Sequence, residues 1–377
     1  MLNSRRVGRS LYAMVLMMTV PAASCGTVPA PRPQIARQVI LEPAPPPNLD
    51  AEDLLNLTLP SPTMVLEIDA VRLRSDPLLR SLLEGLMADR EGAGDDTNEA
   101  DLGAFGSPQG LLQVLEQCEH ALMSVDGARR LPAPDGPQPD VGTRRRRARY
   151  PFLFAMRCSS EDWISSMNPS GVEPEVVGED RQGRAIRRYS ESMEVYFNGG
   201  STWLLGSVGS VAELLRQFEG HGISRAPFVV DGFPAEPRAD TAVRFAFEDR
   251  RANGLAAGAA GFRFRLNPGS VVNGTVSLGA AGLGLDARAM WETSRPAEES
   301  LGRLEALRAA LANNIFMLIS GLAPVIESAE LRREGSSMFV RLMVPRATLE
   351  AIWSLVSAQV AAERGLESPP ITPDPVP

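Results

Sequence analysis

The chain has 377 residues, 38 basic and 46 acidic side chains, a net charge of −8 and 44% hydrophobic composition, which suits two ordinary domains or one built from two similar parts. Every basic residue is arginine; the absence of lysine excludes lysine Schiff-base chemistry, a serine–lysine dyad and the usual P-loop. The acidic balance argues against general nucleic-acid binding, which needs a basic surface.

Residues 1–24 hold no acid: Arg5, Arg6 and Arg9 precede an apolar run from Leu11 to Val20, and Ala22, Ala23 and Ser24 lead to Cys25. A positive start, a short apolar run and small residues before a cleavage point predict a secretory signal. The run is shorter than the about 20 apolar residues a membrane span needs. Small residues directly before a cysteine resemble a bacterial lipobox. That resemblance implies cleavage before Cys25, acylation of Cys25, and a lipid-anchored place in the cell envelope, on the periplasmic side of the outer membrane. It departs from the pattern at Ala22, where leucine is usual, and Gly26 lacks the acidic side chain often tied to inner-membrane retention.

After the signal, residues 25–53 are rich in proline (Pro29, Pro31, Pro33, Pro43 and Pro45 to Pro47) and predict an extended tether. At about 3.1 Å per residue its span from Cys25 to Asp50 reaches roughly 75 Å. A first folded half over 54–225 opens with alternation at Met64–Asp69, a strand. Ser75 and Pro77 then suit a helix start, with Leu78, Leu82 and Leu86 on one face. A loop, a helix near 108–118 and a strand near 120–127 follow. An insertion over 128–149 carries four prolines and the run Arg144 to Arg147. Phe152, Phe154, Met156 and Cys158 alternate as a strand, Ser159 opens a short helix, and strands are expected near 184–190, 193–198 and 201–206. Ser210 and Glu213 have capping-box spacing ahead of a helix.

The second half, 240–365, opens on Val243, Phe245 and Phe247. A hairpin turns at Gly279 to Gly282. Pro296, Glu298 and Glu299 start a long helix whose stripe runs Leu301, Leu304, Leu311, Ile315, Leu318 and Leu322. Two strands near 325–333 and 337–344 and a helix from Arg346 complete it, before a proline-rich tail over 366–377. Element order matches between the halves. The expected fold is therefore α+β, with two similar halves, each an antiparallel sheet covered on one face by helices; a single continuous sheet is the alternative. The body resembles uncharacterised bacterial lipoproteins, a likeness that implies no activity.

Antiparallel pairing of the strands expected near 120–127 and 150–158 would bring Cys118 and Cys158 together at the open end of that hairpin, and an exported compartment permits a disulfide between them; two buried free thiols are the other outcome. His120 and His221 are the only histidines, and no ligand spacing suggests a metal site. Gly282, Gly284 and Ala287 match a loose dinucleotide motif but sit in a strand pattern, which favours a turn. Adjacent acids such as Glu161–Asp162, Asp95–Asp96 and Glu248–Asp249 read as loops or helix starts. Arg144, Arg145, Arg146, Arg147 and Arg149 form a candidate loop for anionic ligands. No catalytic residue, metal or cofactor is implied. The expected role is a non-catalytic binding or assembly module, anchored to the membrane by its lipid, with an envelope protein, glycan or anionic lipid as partner. An exported carboxylate-dependent hydrolase and a carrier of lipid or another hydrophobic ligand are the alternatives.

Overall fold

Alternation at Met64–Asp69 forms a strand, β1, which Asp69 ends by turning its carboxylate onto the Arg72 amide (2.9 Å) and capping a short helix, α1 (Ala70–Ser75). The computed structural model describes residues 49–50, 53–77, 79–80, 116–129, 131, 150–159, 173–180, 182–190, 193–221, 232–234, 237–248, 256–259, 262–265, 267, 269–314, 317–318 and 321–363. Beyond α1 these contain β2 (Cys118–Val125), β3 (Phe152–Cys158), β4 (Glu175–Glu179), β5 (Ala185–Ser190), β6 (Met193–Phe197), β7 (Thr202–Ser207) and α2 (Ser210–His221). There follow β8 (Thr241–Glu248), β9 (Ala256–Ala259), β10 (Phe262–Arg265), β11 (Val271–Gly279), β12 (Gly282–Met290) and α3 (Ser294–Ala312). The chain then continues through α4 (Ala323–Glu327), β13 (Glu330–Glu334), β14 (Ser337–Pro345) and α5 (Arg346–Glu363).

Twelve of the described strands form one antiparallel sheet in the order β13-β14-β12-β11-β8-β1-β2-β3-β7-β6-β5-β4, and β9 pairs with β10 separately. The protein is thus α+β with the antiparallel sheet dominant. The strands expected as two sheets join through the β1–β8 pair, where Glu67 stands opposite Arg244.

Several elements differ from expectation. Residues 175–179 form a strand where a loop was expected, and β9 and β10 were not foreseen. Asp76, not Ser75, accepts the Leu79 amide (3.1 Å), because the residue directly before Pro77 occupies the cap; the Ser75 hydroxyl donates back to the Arg72 carbonyl (2.8 Å). Residues 323–327 are helical rather than strand, with Pro324 in the first turn, where its missing amide is no loss. The α3 stripe stops at Ala312, and Leu318 is 59% exposed rather than core. The folded body also starts before Leu54: Leu49 is buried with Leu54, Leu55 and Leu57 of a 3-10 turn and with Leu59 beyond it.

One lateral row of residues runs through the whole sheet. On one side of the β1–β8 seam it reads Leu122, Ala155, Leu204, Tyr196 and Ile186, all buried beneath Val211, Leu214, Leu215 and Phe218 of α2 and the 3-10 turn. Across the seam the same face reads Arg244, Thr275, Asp286, Arg341 and Glu330. The opposite face of β11, β12 and β14 packs Val272, Ala289 and Met338 against Ala297, Leu301 and Leu304 of α3.

Candidate functional site

The place where this face changes from core to surface is marked by an ion pair. Arg244 and Glu67 are directly opposed on β8 and β1, their side chains only 8% and 17% exposed. Arg244 donates to Glu67 and to the Pro234 carbonyl (2.9 Å), and its guanidinium lies 5.3 Å from the Phe233 ring centre. Burial of two charges in the middle of a sheet is costly unless each is paired and hydrogen-bonded, as these are.

Beyond the seam the face is open and ordered in rows. In one row Phe339 of β14 stands between Arg288 of β12 and Arg332 of β13, whose guanidiniums lie 5.2 and 4.5 Å from the ring centre. In the next row Arg341 stands between Asp286 (3.1 Å) and Glu330 (3.8 Å). The hydrogen bond to Asp286, with attraction from Asp286 and Glu330, raises the Arg341 pKa above the ordinary arginine value. Arg341 and Glu330 are 59% and 68% exposed. Arg288 donates to the Ser337 hydroxyl (2.9 Å), and no carboxylate pairs with it among the described residues. Met343, two residues along β14 from Arg341, is also exposed. Helical packing covers this face in the first half of the sheet; in the second half the side chains present charge to solvent.

A second constellation holds the start of the body. The Asp50 carboxylate accepts the Ser201 amide (2.9 Å) and hydroxyl (3.0 Å) and the Thr202 amide (3.0 Å) and hydroxyl (2.8 Å). The carboxylate sits so close over the β6–β7 turn that a Cβ on Gly200 would occupy its space. Burial opposes ionisation of Asp50, but hydrogen bonds from Asn198, Ser201 and Thr202 outweigh it and lower its pKa from 3.8 to about 2. A lowered folded-state pKa contributes stability that is present above the unfolded value and is lost as pH falls toward the folded one. Asp50→Asn is therefore expected to flatten the stability profile between about pH 4 and pH 2, where the parent chain loses about 1–2 kcal/mol after allowance for solvent screening. Urea midpoints across that range check it; parallel profiles for both chains would show that this carboxylate is not the cause.

Beside this latch, Cys118 and Cys158 are bonded to each other. Pairing along β2 and β3 joins Val125 with Phe152 and Ala121 with Met156, a register that by itself would place Cys118 opposite Ser159. A bulge between Cys118 and His120 shifts the register by one and aligns the cysteines. The Cys158 amide donates to the Ser201 carbonyl (3.0 Å), so the disulfide and the Asp50 latch occupy the same end of the sheet.

The other residues singled out from the sequence fall as follows. Cys25 and the arginines Arg144, Arg145, Arg146, Arg147 and Arg149 lie outside the described residues, as do Glu161, Asp162, Asp95, Asp96 and Asp249. His120 is a partly exposed strand residue on β2, and His221 ends α2. Gly282 and Gly284 are on β12, at and just after the hairpin turn. Among the described residues no group of three or more His, Cys, Asp or Glu side chains is placed to hold a metal ion. Asp50, the Glu67–Arg244 pair and the Arg288–Phe339–Arg332 row were not identified from sequence; the alternation in β12 and β14 was the one signal for the last of them.

No family model and no curated protein matches the chain. Among solved structures it aligns with crystal form I of TP0453 at a TM-score of 0.36 and 8% identity, over 82% of this chain and 98% of that one. Crystal form IV of TP0453 aligns at a TM-score of 0.41 and 9% identity, over 80% of this chain and 96% of that one.

Proposed function

We propose that the protein is a cell-envelope lipoprotein, anchored through Cys25, whose body is a non-catalytic binding or assembly module made of two similar halves. The open charged face is the observation that carries the binding role. Outward from the seam the strand orders are β1-β2-β3-β7-β6-β5-β4 and β8-β11-β12-β14-β13; the first five positions correspond and each half closes on a helix, while the edge pair β5-β4 has no counterpart in the second half's part of the sheet. A two-fold axis at the seam would make Leu122, Ala155 and Leu204 equivalent to Thr275, Asp286 and Arg341. In the first half these positions are apolar and support α2. In the second they are polar, and α5, the counterpart of α2, has Ile352 packed with Met317, Leu322 and Ala323 instead. This divergence between equivalent positions, with helices kept on one face of the second half, supports a surface retained for a partner rather than for folding.

The address is tested at Cys25. Cys25→Ser is expected to move the protein from the membrane to the soluble envelope fraction, and intact mass of the parent chain is expected to begin at Cys25 with acyl chains attached. A parent chain of full length without acyl chains would end the lipoprotein reading.

A further inference from the structure

We propose that the open face of the second half is a self-association surface, on which a second copy of this chain docks face to face about a two-fold axis. The proposal rests on the assembly-module reading but not on the lipid anchor. Its basis is the order of the charges. Along β12, β14 and β13 one row reads Arg288, Phe339, Arg332 and the next reads Asp286, Arg341, Glu330. Each row spans three strands about 4.8 Å apart, and packed sheets face each other at about 10 Å, within reach of arginine side chains from both layers.

An axis lying between the two rows, parallel to them and in the plane of contact, leaves positions along a row unchanged and exchanges one row for the other. It sets Arg288 over the second copy's Asp286, Arg332 over its Glu330, and Phe339 over its Arg341. Arg288 and Arg332 each meet a carboxylate, the ring meets a guanidinium, and the two-fold repeats each contact, as an isologous interface requires. The three arginines balance Asp286, Glu330 and Glu334, so the face has no net charge with which to select a uniformly acidic or basic partner. What it has is a sign pattern complementary to itself.

The test is sedimentation velocity on exported full-length chain carrying Cys25→Ser, so that an acyl chain cannot drive association, from about 1 to 100 µM at about 0.05 M salt. A monomer–dimer equilibrium is expected, weakened at least about tenfold at about 1 M salt, where screening is short-ranged. The pair Arg288→Glu and Arg332→Glu is expected to abolish the dimer, as is the pair Asp286→Arg and Glu330→Arg. Mixing the two variants is expected to restore a heterodimer, because positions 286, 288, 330 and 332 are then all negative on one chain and all positive on the other. Arg288→Glu alone, which breaks no ion pair within its own chain, serves should a double variant fail to fold, and is expected to weaken the dimer about tenfold or more. A parent chain that stays monomeric throughout, or a dimer indifferent to Arg288→Glu, overturns the proposal. A charge-dependent dimer from a protein that proves unlipidated would leave this interface standing and remove only the address.

Discussion

Glu67→Ala is expected to destabilise the protein by about 3–5 kcal/mol, because it breaks a largely buried ion pair in the middle of the sheet. Arg244 keeps its hydrogen bond to the Pro234 carbonyl and its place over the Phe233 ring in the variant. The pair itself need not stabilise the fold, since taking two charges out of water offsets most of their attraction. Glu67→Leu combined with Arg244→Met is therefore expected to recover most or all of the stability lost in the single variant. Urea unfolding of the parent, both single variants and the double variant gives the coupling directly. Additive losses in the double variant would mean that the two side chains act separately. The pair sits at the boundary between a buried and an open stretch of the same face.

Replacing Cys118 and Cys158 together by alanine is expected to cost about 4 kcal/mol, the chain-entropy value for a loop of this length. The two cysteines are 40 residues apart and enclose the arginine- and proline-rich insertion, whose chain the bond confines in the unfolded state. Both are also buried in an apolar cluster with Met156, Met193, Trp203 and Leu205, so alanine removes packing as well. The loss is read from urea midpoints of the oxidised parent and the double variant. Equal stability of the two, or free thiols in the natively exported protein, would sink the prediction. Loosening is expected first at the shared end of β2, β3 and β7, which the Asp50 latch also holds, and hydrogen exchange at the Cys158 and Thr202 amides reports it.

Much of the local structure was legible. Alternation located β1, β3 and β8, and the glycines at 279–282 placed the β11–β12 turn. The long helix α3 followed from its apolar spacing. Misreadings came where a local signal competed with another: Asp76 displaced Ser75 as cap because of Pro77, and Pro324 lies in the first turn of a helix that takes up the start of the strand expected near 325–333. The cysteine pair was foreseen in outline, but the bulge that aligns it has no signature in the sequence.

What the sequence determined by itself was most of the strands, turns and helices, because hydrophobic period and turn chemistry act over a few neighbouring residues. It also set the chemistry available: a lysine-free chain whose cations are all arginines. The tertiary structure alone decided which sheet face is open. Alternation assigns residues to two faces, but whether a face is covered depends on where distant helices pack. Likewise Asp50 meets Ser201 across 151 residues, and Glu67 meets Arg244 across 177. Those contacts exist only once twelve strands share one register, so no local pattern could announce them.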